Sequence, residues 1–168
     1  MLPKTGGVTP GTHPALQRSV WLVLGAWLSA LTLVGAVVAP AAVAVAPTPA
    51  VAGDLVGRVL AAVDYAGAAS GVLLAGLAFS LGRPGSCIAL PLLATALCLV
   101  SRFEVTPRIA ALRPLAMGPG ADAVARERFG QLHGLSVGLF AAVGIALIAL
   151  SIAHARAERG SKKNFRFS

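Results

Sequence analysis

The chain has 168 residues, 57% of them hydrophobic and only 12% charged, with a net charge of +8. A soluble globular domain carries about 25% charged residues, so this composition, with a mean hydropathy of +0.81, excludes an ordinary soluble fold and leaves a membrane protein. The basic residues flank apolar runs and lack interleaved aromatics or a nucleic-acid-binding module, which argues against nucleic acid and for anionic lipid headgroups as their partners.

Residues 1–18 mix Gly, Pro and Thr with Lys4 and Arg18 and show no apolar period, so a flexible lead-in is expected. No charge follows between Ser19 and Gly53. The first span is placed at about residues 20–45, because a spanning helix needs about 20 apolar residues. A competing reading is a signal peptide cleaved after Ala44-Val45-Ala46, but the apolar run exceeds the usual core of about 7–15 residues. Pro40, Pro47 and Pro49 are expected to kink and then end this helix.

Asp54 and Arg58 stand at i,i+4 spacing, as an ion pair on a helical entry would. A second span at about 55–82 follows, with Gly67 and Gly71 at GxxxG spacing, and it stops at Gly82-Arg83-Pro84-Gly85. So short a link implies an antiparallel neighbour. The third span is placed at about 86–103, with Pro91 tolerated inside it and Arg102 and Glu104 marking its far end. Pro107, Pro114 and Pro119 then predict a surface loop over Thr106 to Ala121. Asp122 is a candidate N-cap for a fourth span at about 125–154, and Arg156, Arg159, Lys162, Lys163 and Arg166 form a basic tail suited to anionic headgroups. The expected architecture is one all-α domain, residues 19–155, built as a four-helix antiparallel transmembrane bundle.

Within the fourth span Gly130, Gly134 and Gly138 recur every fourth residue and so share one helix face, which reads as a packing stripe with His133 at its edge. Four spans place both termini on one side. That side holds eight cations against six on the other, so the positive-inside rule puts the termini in the cytoplasm and the protein in the cell membrane.

Four stretches together resemble the transmembrane protein 205-like family, a bacterial domain of unknown function. They are Val37-Val38-Ala39-Pro40, Gly57-Arg58-Val59-Leu60, Thr106-Pro107-Arg108-Ile109 with Leu112-Arg113, and Arg128-Phe129-Gly130-Gln131-Leu132-His133-Gly134-Leu135-Ser136. The last is the most specific. An Asn that often follows the His-Gly-Leu-Ser run is absent here, where Val137-Gly138-Leu139 stands. The resemblance implies a four-helix membrane domain and no agreed activity.

Ionisable residues are rare inside spans and usually face the protein interior or a hydrated cavity. By the four-span order Asp64, Arg108, Arg128 and His133 all reach the face away from the termini, and they form the candidate polar cluster. Asp64, on the face of Gly67 and Gly71, is expected to pair with Arg108, Arg128 or His133 and to fix how the second and fourth helices meet. His133 also reads simply as a boundary residue that positions the start of the fourth helix. No catalytic constellation can be assembled, because Ser136 three residues after His133 is no triad and no phosphate loop exists, so no enzyme is expected. No cofactor is implied, and Cys87 and Cys98 have no partner at metal-ligand spacing. The expected role is helix packing or partner binding, with itself or another membrane protein. The alternatives are a transport or permeation component with a polar vestibule, and haem or metal binding.

Overall fold

A computed structural model of the chain describes residues 14–166, with side chains described through Gly160. Four helices carry it: α1 (Pro14–Val45), α2 (Pro49–Ser80), α3 (Ser86–Met117) and α4 (Ala123–Arg166). Each is long and apolar enough to cross a membrane. The expected Met1–His13 part of the lead-in, including Lys4, lies outside the described residues, whereas Pro14 to Arg18 already belong to α1. At the other end the basic tail continues α4 as helix through Arg166.

The turns follow from local chemistry. Gly82, at φ +60°, lets α2 close with paired bonds from the Gly82 amide to the Phe79 carbonyl (3.0 Å) and from the Arg83 amide to the Ala78 carbonyl (2.9 Å). Thr48 caps α2 by accepting from the Val51 amide at 3.3 Å, and Pro49 costs nothing at the first helical position. Asp122 caps α4, its two carboxylate oxygens accepting from the amides of Val124 and Ala125 at 3.4 and 3.2 Å.

One expectation built on proline is corrected: Thr106 to Met117 is helix, not loop. Pro40 lies within α1, which runs on to Val45 and stops before Pro47 and Pro49. In both places a π-turn precedes the proline, Val34–Val38 before Pro40 and Ser101–Val105 before Pro107. The Ala39 amide donates to the Val34 carbonyl and the Thr106 amide to the Ser101 carbonyl, so the ladder steps to i→i+5 where the proline would disturb it. The helix axis survives the missing N–H.

Sequential helices pack side by side and α4 returns to α1, while the diagonal pairs α1/α3 and α2/α4 have no Cα atoms within 8 Å. The centre is filled by side chains: Leu24, Trp27, Leu74, Ala78, Cys87, Ala94, Leu147 and Leu150 are all buried. Between lipid-facing helices this burial gains little transfer energy, because acyl chains are as apolar as leucine, so contact quality decides stability. Contact is closest on α2. A Cβ at Gly67 would stand 2.7 Å from Trp27 Nε1, and one at Gly71 would stand 2.7 Å from the Pro91 carbonyl oxygen and overlap Thr95 Oγ1. The Asp54–Arg58 pair is not formed either. Asp54 pairs instead with Arg113, linking α2 to α3.

The packing stripe expected on α4 is likewise overturned within the chain: Gly130, Gly134 and Gly138 are exposed, with nothing within 4 Å of where a Cβ would be. Gly71→Ala should therefore lose about 1–3 kcal/mol of stability through overpacking. Gly134→Ala, which adds only helix propensity, should hold or slightly raise Tm in detergent. Equal Tm values for the two variants would contradict this packing.

Candidate functional site

The uncharged stretch between Asp64 and Arg83 is α2 from Tyr65 to Ser80, roughly 24 Å at 1.5 Å per residue, plus the turn residues Leu81 and Gly82, and together they nearly span a hydrocarbon core of about 30 Å. Asp64 therefore stands at the far membrane boundary and Arg83 at the near one. Asp64 is 7% exposed, on the inward face of α2 one turn from Gly67. Its Oδ2 accepts a hydrogen bond from Ser101 Oγ of α3 at 3.1 Å. Ser101 opens the second π-turn, and its carbonyl accepts from Thr106 Oγ1 at 2.9 Å. One turn deeper Thr95 Oγ1 donates to the Ala68 carbonyl at 3.3 Å, and Trp27 Nε1 is buried beside Gly67 with no hydrogen-bond partner. The site is a polar seam between α2 and α3, closed on its third side by α1.

The expected cluster is not assembled there. Among the described residues no cation lies within 4.0 Å of the Asp64 carboxylate. Arg102, next to Ser101, turns to the Tyr65 ring, with its guanidinium carbon 5.3 Å from the centroid. Arg108 donates to Glu104 Oε2 at 2.6 Å on the exposed side of α3. His133 is exposed and stacks on Phe129, ring centroids 6.0 Å apart. The α2 and α4 backbones come no closer than 8 Å between Cα atoms, and the side-chain partner of Asp64 is on α3, so Asp64 does not tie α2 to α4. It joins α2 to α3 instead.

Arg108 and Arg128 do come together, at a different place. They line a groove of about 670 Å³ between the outer parts of α3 and α4, with Leu112, Gln131, Leu132 and Leu135 on its walls. Gln131 Nε2 donates to Glu127 Oε1 at 3.4 Å, which leaves the Arg128 guanidinium with no hydrogen bond or ion pair among the described residues.

One residue was not singled out by sequence reasoning. His154, at the near boundary, is 1% exposed and neither ring nitrogen has a hydrogen-bond partner. Its ring meets Trp21 edge-on at 6.5 Å, Trp21 Nε1 donates to Glu158 Oε1 at 2.9 Å, and Arg83 lies 3.7 Å from the same oxygen. The signal is available in the sequence, since an imidazole that directly ends a 25-residue uncharged stretch, Phe129 to Ala153, must either snorkel or pack. Among the described residues no three His, Cys, Asp or Glu side chains gather as metal ligands would.

The fold and the boundary residues define a multi-pass, all-α integral membrane protein built as a four-helix bundle. A match to Domain of unknown function (DUF4149) covers residues 22–117, more than half of the chain, and the chain belongs to that family. The match takes in α1 to α3 and the Asp64–Ser101 seam but not Arg128 to Ser136. Comparison with curated proteins and with solved structures finds no match.

If Asp64 and Ser101 share a contact, Asp64→Asn and Ser101→Ala should be non-additive in detergent unfolding, with a coupling of about 0.5–3 kcal/mol. Asp64→Asn and Arg128→Gln should add within about 0.5 kcal/mol. Additivity of the first pair, or coupling of the second, would move the partner of Asp64 elsewhere.

Proposed function

We propose that this chain is a packing component of the cell membrane that binds a protein partner or a second copy of itself, and that it is not an enzyme. The observation that carries this is the filled interior. Leu74, Ala78, Cys87, Ala94, Leu147 and Leu150 are fully buried along the bundle, while the ionisable groups sit at its two ends, with Asp64, Arg102, Arg108, Arg128 and His133 at one and Arg83, His154 and Glu158 at the other. The finer affiliation, with transmembrane protein 205-like proteins, rests on the residue resemblance from Val37 to Ser136. An orientation with both termini in the cytoplasm is supported by the excess of cations on that side.

A second reading has one observation in its favour. A carboxylate buried at the membrane boundary beside a π-turn is the kind of group that lines an ion or solute route. Reconstitution separates the two. The packing role predicts a stable protein partner or self-oligomer on purification in mild detergent, and no solute or proton flux into proteoliposomes above lipid alone. Flux that Asp64→Asn abolishes would replace it with the permeation reading.

A further inference from the structure

We infer that the groove between α3 and α4 binds one anionic phospholipid, with its phosphate held by Arg108 and Arg128 and its upper acyl carbons laid over Leu132 and Leu135. This goes beyond the packing role and is distinct from any attraction of the basic tail, which lies at the opposite membrane face. The volume, about 670 Å³, falls in the range of about 300–1,000 Å³ typical of ligand clefts. Its walls are apolar and its charged groups are cations, which is the complement of an anionic amphiphile.

Position sets the occupant. The uncharged stretch of α4 starts at Phe129, directly after Arg128, and reaches Ala153. Its 25 residues span roughly 37 Å, more than a hydrocarbon core of about 30 Å, so Arg128 stands at headgroup level. From Arg128 the groove descends past Leu132 to Leu135, toward the acyl chains, and therefore has the same polar-to-apolar direction as a lipid. Arg108 lies nine residues before the end of α3, and Leu132 nine after the start of α4, so the two are level in the antiparallel hairpin. The stem of Arg108 lies along the groove wall, and its head bonds Glu104 one turn earlier in α3.

Two acids stand nearby and each is engaged. Glu104 takes one bond from Arg108, but a guanidinium has five N–H donors, and Glu127 is bonded by Gln131. Arg128 is left whole for a phosphate, which arginine grips bidentately.

Native mass spectrometry of the full chain in mild detergent, with phosphatidylglycerol and phosphatidylcholine of identical acyl chains at equal concentration, tests this. One phosphatidylglycerol should be retained preferentially. Arg108→Gln with Arg128→Gln should weaken that retention on the order of tenfold, the consequence of losing charge-assisted hydrogen bonds. Leu132→Trp, which fills the groove and keeps both arginines, should do the same. Neutralising Arg156, Arg159, Lys162, Lys163 and Arg166 to Gln should leave retention unchanged. Equal retention of the two lipids by the parent chain would overturn the inference, as would loss that follows the tail variant or undiminished retention by the groove variants. Should the double-arginine variant fail to fold, Leu132→Trp decides in the same sense.

Discussion

The bundle depends on the close approach of side chains to the backbone of α2 at Gly67 and Gly71. In a membrane the usual reward for burying an apolar side chain is absent, since lipid solvates leucine as well as protein does. What remains is dispersion at short range, which a gap of even half an ångström weakens substantially. Two glycines one turn apart let the indole of Trp27 and the hydroxyl of Thr95 reach the α2 backbone. Trp27 comes from α1 and Thr95 from α3, so three helices meet at one level, and α4 completes the ring through Leu147 and Leu150. Trp27 fills the centre between the diagonal helices, whose Cα atoms stay more than 8 Å apart.

The polar groups follow from the same geometry. Once α2 and α3 are this close, Asp64 and Ser101 face one another one turn above the glycines, and the hydroxyl gives the carboxylate a hydrogen bond without bringing a second charge into the bundle. The π-turn that begins at Ser101 belongs to this arrangement, because it carries α3 past Pro107 without a break and allows the helix to continue beyond the membrane boundary as one wall of the arginine-lined groove. Packing in the membrane thus positions the features outside it.

Much of this was legible in the residues. Charge-free runs of spanning length marked four helices, Gly82 marked the tight turn, Asp122 marked the start of α4, and the spacing of Gly67 and Gly71 marked the contact face of α2. The failures have physical causes. In a sequence a proline is a lost N–H and a clash, which would end Thr106–Met117 as a helix, but a single turn of i→i+5 bonding removes the clash beforehand. Spacing shows that Gly130, Gly134 and Gly138 share a face, yet it does not show whether that face points inward, and on α4 it points away from the bundle. For Asp64 the cations are the conspicuous partners in a sequence, whereas an uncharged serine on the adjacent helix is not. His154 closes an apolar run in the sequence, and the fold encloses it beside Trp21, Glu158 and Arg83.

The central claim, that Trp27 occupies the middle of the bundle against the glycines of α2, is open to one direct measurement. The chain contains two tryptophans, of which Trp27 is 4% exposed and Trp21 38% exposed. In liposomes of phospholipids with brominated acyl chains, Trp21→Phe leaves only Trp27 to report and Trp27→Phe leaves only Trp21. The account predicts that Trp27 fluorescence is largely protected from bromine quenching while Trp21 fluorescence is strongly quenched. Quenching of Trp27 to the same extent as Trp21 would place its ring against lipid and contradict the packing on which the rest of the structure depends.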